Sequence, residues 1–205
     1  MSEFKNSVEK DRPLIEIISS VPKGGELPWM SVEFFPPKTE VGLATLYKVL
    51  LDLKAYNPLF ADITWGAGGS TSDLTLQIAK GIKERGVTPQ MHLTCTNMEK
   101  ETIDAALSTC KQAGITNILC LRGDPPVGEA KWEAKDVTLT CALDLVKYIR
   151  ANYAHEDFHL CVAGESVCVC MCMCVCVCVC LYFKFLYYIS LLPSFRKSVF
   201  NGQLK

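Results

Sequence analysis

Neither sign of charge dominates this 205-residue chain: 21 lysines and arginines stand against 22 aspartates and glutamates. It has no polybasic field and no acidic tail, so no nucleic-acid partner is expected. The opening Met1-Ser-Glu-Phe-Lys5 contains no apolar run, which argues against a signal peptide and for a cytoplasmic protein. No internal repeat is present. Also missing is the glycine-rich turn that marks a dinucleotide-binding open sheet after its first strand; here that turn reads Phe35-Pro36-Pro37-Lys38.

What is present is an alternation of two periodicities. Leu43, Leu46, Tyr47, Leu50, Leu51 and Leu53 recur at helical spacing between Thr39 and Asn57. Further helices are expected over Ser72–Arg85 (Leu74, Ile78, Ile82), Glu99–Gly114 (Ile103, Ala106, Leu107, Cys110, with Gly114 as the stop) and Leu139–Asn152 (Leu143, Leu145, Val146, Ile149). Val8–Ser20 reads as a leading helix interrupted near Pro13. Strand-like runs lie between them at Met30–Phe35, Phe60–Trp65, Gln90–Cys95, Thr116–Leu121 and Phe158–Ala163. Strand and helix in strict alternation predict a parallel α/β sheet. Without the glycine-rich first turn, a (β/α)8 TIM barrel is favoured over an open dinucleotide-binding sheet.

Chemistry-bearing residues gather where such a fold places its active site, toward the carboxyl ends of the strands. The segments are Ser31-Val-Glu33-Phe-Phe-Pro-Pro37, Asp62-Ile-Thr64-Trp-Gly-Ala-Gly-Gly69, Met91-His92-Leu-Thr-Cys95 and Leu121-Arg122-Gly-Asp124-Pro-Pro126. Taken singly, each has a plainer reading. Glu33 could face solvent from the first strand, His92 could be a satisfied core histidine, and Arg122 with Asp124 could form a local ion pair in a proline-closed turn. The Gly66 to Ser70 turn is by itself a weak phosphate signal.

Together, in this order and at these gaps, the segments resemble the catalytic domain of the methylenetetrahydrofolate reductase family over roughly Ile15 to Gly164. The resemblance implies a barrel holding FAD at the strand ends, with NADPH or NADH reducing the flavin. The flavin in turn reduces 5,10-methylenetetrahydrofolate to 5-methyltetrahydrofolate, in one-carbon and methionine metabolism. It implies Glu33 as the general acid that helps open the folate's five-membered ring, with desolvation by the neighbouring phenyl rings favouring its protonated form. It implies flavin or nicotinamide contacts from Thr64, Trp65 and His92. Arg122, Gly123 and Asp124 match a loop touching flavin and folate, with Asp124 serving both cofactor and substrate. Cys141 and Ala142 match a further flavin contact at a helix start. No metal is implied, and the full-length family is expected to be homo-oligomeric.

The resemblance stops after Cys161-Val-Ala-Gly164. We therefore divide the chain at that point, with a partial barrel of about five of eight strands in 1–164 and a low-complexity Cys/Val-rich tail in 165–205. Seven of the twelve cysteines lie between Cys168 and Cys180, in strict alternation with valine and methionine. A repeated TG dinucleotide, read as TGT then GTG, encodes that pattern, so intron read-through is the preferred origin. Valine and methionine spacers argue against a thiolate metal cluster, and the alternation favours strand over helix. Residues 167–193 are nonetheless apolar enough to span a bilayer if they insert. Two alternatives to the reductase follow: a non-catalytic membrane-attached fragment, and a different barrel enzyme binding a phosphorylated substrate at the Gly66 to Ser70 turn.

Overall fold

The computed structural model describes residues 8–22, 30–66, 70–95, 98–123, 137–163, 176–179 and 187–188. Five helices and seven strands follow in order: α1 (Leu14–Ser19), β1 (Val32–Phe34), α2 (Glu40–Lys54), β2 (Ala61–Ile63), α3 (Ser72–Glu84), β3 (Pro89–Thr94), α4 (Lys100–Ala113), β4 (Asn117–Leu121), α5 (Ala142–Asn152), β5 (His159–Ala163), β6 (Cys176–Val179) and β7 (Tyr187–Tyr188). The sheet order is the sequence order. Each pair from β1–β2 to β5–β6 is parallel, and β7 returns antiparallel to β6. An open doubly wound sheet reverses its strand order near the middle, because its helices occupy both faces. Sequential parallel order is instead the arc of a barrel, with the connecting helices along one side. The strand expected in the Cys/Val segment is present as β6; most of 167–193 lies outside the described residues. Among the described residues, no helix is long and apolar enough to cross a membrane.

Local chemistry sets the helix ends. The Thr39 hydroxyl accepts the Gly42 N–H at 3.0 Å and so caps α2, two residues after Pro37. Gly114, at φ 69°, ends α4 in the left-handed conformation, and the next N–H, of Ile115, bonds back to the Cys110 carbonyl. The leading helix is shorter than expected. It begins only after Pro13, and the preceding Asp11 N–H bonds the Gly114 carbonyl instead of starting a helical turn. Two apolar residues placed on helix stripes by the sequence, Leu51 and Leu143, are more than half exposed. Each lies beside a true core position, Leu50 and residues 145 and 149 respectively, where the helical repeat turns it outward.

Register divides the strand residues between two faces. Ala61, Ile63, Met91, Leu93, Ile118, Cys120 and Leu160 pack with the apolar faces of α2 to α5 in one large core. The opposite, concave face has a smaller cluster, in which Leu14 and Ile18 of α1 meet Phe60, Leu119 and Cys161. Asn117 fastens α1 there: its Oδ1 accepts the Leu14 N–H and its Nδ2 donates to the Arg12 carbonyl, both at 3.0 Å. Helix α1 thus floors the arc near the amino ends of the strands and leaves the carboxyl ends for other contents.

Candidate active site

On the concave face, a polar row replaces the apolar residues that a strand buried on both sides ordinarily carries. Glu33, Asp62 and Gln90 are neighbours in register across β1, β2 and β3. His92 and Thr94 follow on the same face of β3, toward its carboxyl end. Asp62 is fully buried, and its Oδ1 lies 3.2 Å from His92 Nε2. Burial pushes the Asp62 carboxyl up to about 6; the His92 contact opposes this and the nearby Glu33 charge adds to it. Its second oxygen, Oδ2, has no hydrogen-bond partner among the described residues.

The loops that follow the strands build the rim. After β2, the Gly66 N–H donates to the Thr71 hydroxyl at 2.8 Å, and the Thr75 hydroxyl donates to the Thr64 carbonyl at 3.0 Å. These bonds fold the chain tightly onto the start of α3. A Cβ at Gly66 would come within 2.6 Å of Ser70 Oγ and 2.7 Å of Thr71 Oγ1, so a larger residue there must push both side chains aside. The turn carries Trp65, which is 7 % exposed and packs with the main core. Between β3 and β4, the Cys95 N–H continues the ladder to the Leu121 carbonyl, and Gly123 takes φ 91° as the chain leaves the sheet.

These elements enclose a cleft of about 390 Å³ whose wall includes Phe35, Thr64, Trp65, His92, Thr94 and Gly123. Two of these residues also carry a buried polar atom, Trp65 Nε1 and Thr94 Oγ1, without a hydrogen-bond partner among the described residues. Orphaned buried polar groups are rare in finished structures, so two beside one cleft mark this region of the fold.

Of the residues singled out from sequence, Thr64, Trp65, His92 and Gly123 line this one cleft. Glu33 occupies the same concave face beside Asp62, one layer toward the floor. Arg122 is exposed at the end of β4, and Asp124 lies outside the described residues. Cys141 and Ala142 start α5 and do not line the cleft; the Cys141 thiol instead faces Asp144 Oδ2 at 3.4 Å. Of the two phenyl rings expected to desolvate Glu33, one turns away and the other stands open at the cleft wall. Phe34 alternates to the helix side of the strand and packs with the main core, while Phe35 is 70 % exposed. Sequence reasoning assigned no role to Asp62 or Thr94. The signal for Asp62 was available, since an acid at the centre of a short strand otherwise made of Phe60, Ala61 and Ile63 is out of place in a buried parallel sheet.

Comparison with known proteins agrees with this fold. The family model described as methylenetetrahydrofolate reductase matches residues 18–167. A protein of Arabidopsis thaliana named methylenetetrahydrofolate reductase (NADH) 1 is 49 % identical over 152 residues, 74 % of this chain and 25 % of that protein. Its namesake from Zea mays is 53 % identical over 135 residues, 65 % of this chain and 23 % of that protein. Methylenetetrahydrofolate reductase 2 of Schizosaccharomyces pombe is 43 % identical over 142 residues, 68 % and 22 % of the two chains. The chain therefore spans about a quarter of the length of these relatives. With a sequential parallel α/β arc and a family match over most of its length, the chain belongs to the methylenetetrahydrofolate reductase family.

Proposed function

We propose that this chain supplies the first arc of a flavin-dependent barrel that reduces 5,10-methylenetetrahydrofolate to 5-methyltetrahydrofolate, with FAD in the cleft above His92 and Thr94. The observation that carries this reading is the convergence of Thr64, Trp65, His92 and Gly123, from three separate segments, on one cleft. A mixed wall of this kind, with Trp65 and Phe35 beside Thr64, His92 and Thr94, suits a flavin, whose flat ring has an apolar face and a polar edge. Thr64, Trp65, His92, Thr94 and Gly123 would hold the group, with Arg122 and Asp124, which follow β4, and Cys141 and Ala142, at the start of α5, as further contacts outside the cleft wall. When bound, FAD supplies the hydride chemistry, taking a hydride from a nicotinamide and passing it to the folate. The names of the Arabidopsis and maize relatives favour NADH over NADPH as the reductant.

In this reading, Glu33 holds a proton and delivers it to a ring nitrogen of the folate, easing the opening of the five-membered ring to an iminium. Trp65 and the apolar side of the cleft exclude water from that step. Asp124 contacts both flavin and folate, and the full-length enzyme is a cytoplasmic homo-oligomer. An eight-stranded barrel of this kind takes about 250 residues. In this reading the arc formed by the described strands is not a full site, and its own turnover is weak or nil. A phosphate site at the Gly66 turn is less well supported, because the Gly66 N–H is already taken by Thr71.

Titrating the purified chain with FAD and following flavin fluorescence tests the reading. Saturable binding that Thr94→Val and His92→Ala weaken several-fold is expected. Absence of saturable binding would overturn the cradle, and turnover with NADH at a rate typical of enzymes, about 10 per second, would overturn the assignment as an incomplete site.

A further inference from the structure

Among the described residues the Asp62 side chain makes one hydrogen bond, and it makes it to His92: Oδ1 and Nε2 lie 3.2 Å apart. Asp62 is fully buried and does not line the cleft, whereas His92 is part of the cleft wall. Whatever Asp62 does for a ligand therefore passes through the imidazole. With Nε2 engaged, Nδ1 is the ring's remaining polar atom; it has no hydrogen bond among the described residues and is not one of the buried unpartnered atoms, so it stays accessible. A neutral imidazole carries one ring proton, and the partner of one nitrogen decides which of the two holds it. An ionised Asp62 only accepts, which fixes the proton on Nε2 and leaves Nδ1 bare, an acceptor. A protonated Asp62 has an O–H to donate, which favours a bare Nε2 and puts the ring proton on Nδ1, a donor.

We propose that Asp62 is a positioning residue that sets which nitrogen of His92 carries the ring proton, and so whether a ligand in the cleft meets an acceptor or a donor at Nδ1. This rests on the cleft being the flavin's site. The exchange balances with a single proton from water: the Nε2–H bond breaks as an O–H bond forms on Asp62, and the proton from water joins Nδ1. Burial raises Asp62 to about 6, so the acceptor form prevails above that pH. It selects an N–H or O–H of the ligand, such as the imide N–H of a flavin ring or a hydroxyl of its ribityl chain. Among the described residues, the titratable groups acting on Asp62 are His92 from β3 and Glu33 from β1, the second through its charge alone. Beyond His92, β4 presents Leu119 and β5 presents Cys161 to this face, and α1 closes it below with Leu14 and Ile18.

Nitrogen-15 NMR of the full chain, labelled at histidine and free of flavin, reads the proton on each ring nitrogen of His92 without any turnover. Well above the Asp62 midpoint, Nε2 should carry the proton and Nδ1 should be bare; as pH falls through about 6, the two should exchange roles. Asp62→Asn, whose amide does not ionise, should abolish the exchange. Protonation of both nitrogens together through this range, or an exchange that persists in Asp62→Asn, would overturn the proposal. Should Asp62→Asn fail to fold, the wild-type titration still decides, through exchange or joint protonation. Fluorescence titration with FAD gives a second reading: affinity should fall about two- to tenfold below the midpoint, the loss of one hydrogen bond. Role exchange in a chain with no flavin affinity would sink the functional reading and leave the Asp62–His92 arrangement standing; saturable FAD binding without exchange would do the reverse.

Discussion

His92 Nε2 stands 3.2 Å from Asp62 Oδ1, joining a fully buried carboxyl on β2 to an imidazole on β3 at the base of the cleft. The contact settles part of the desolvation of Asp62 and turns the His92 ring along the concave face.

The first prediction concerns the pH dependence of stability. Asp62 titrates at about 6 in the folded chain against an ordinary 3.8, so over that interval the folded state holds a proton that the unfolded state has lost. Stability from this group is complete below about pH 4 and declines as pH rises to 6. Asp62→Asn removes the dependence. Urea unfolding should show the wild-type advantage over Asp62→Asn shrinking by up to ~3 kcal/mol between pH 4 and 6.5 and level thereafter. A difference that is flat across this range would contradict the assignment.

Asp157 behaves with the opposite sign. Its carboxylate accepts from Lys111 at 2.6 Å and from Lys10 at 3.3 Å, and these partners hold it below the ordinary carboxylate range, with the Lys111 hydrogen bond the larger influence. The contribution is present above pH 4 and is lost as pH falls below it. Asp157→Asn should therefore destabilise by about 1 kcal/mol at pH 7, since both lysines are half exposed, and by less at pH 3. An equal loss at both pH values would argue that the effect is packing.

At Gly66, replacement by alanine drives a Cβ into Ser70 and Thr71 and strains the Gly66–Thr71 hydrogen bond. We expect a loss of about 1–3 kcal/mol in chemical denaturation, together with weaker flavin affinity, because the same turn carries Trp65. Unchanged flavin affinity would separate the turn from the cleft.

Leu14 is buried on the concave face, against a cluster of only a few residues. Leu14→Ala should cost about 2–4 kcal/mol and expose the backbone amides of α1 to hydrogen exchange before those of α3 and α4, which belong to the main core. Uniform exchange across all helices would show instead that the floor and the main core unfold as one unit.

The periodic parts of the chain were legible in the sequence. Leu43, Leu46 and Leu50 fix the buried face of α2, Gly114 ends α4 as its position suggested, and the family motifs fall at the strand ends. What the sequence did not disclose depends on side-chain direction across strands. Glu33 was placed in a strand without a face; only its pairing with Asp62, 29 residues later, assigns it to the concave side. The same alternation removes Phe34 from the acid it adjoins in sequence. Thr94 looks like any strand threonine until burial strips its hydroxyl of partners. Leu143 matched a helical stripe but falls a residue outside the core-facing arc of α5.

The central claim is that separate motifs form one flavin-holding cleft on the concave face. Its most direct test is to add FAD to isotope-labelled chain and follow the Trp65 indole N–H together with the Thr64, His92, Thr94 and Gly123 signals. The account predicts that these shift together and saturate at a common FAD concentration, while residues 78, 103 and 107 beneath the helices stay still. Shifts confined to the helix-bearing side, or none at the Trp65 indole, would contradict it.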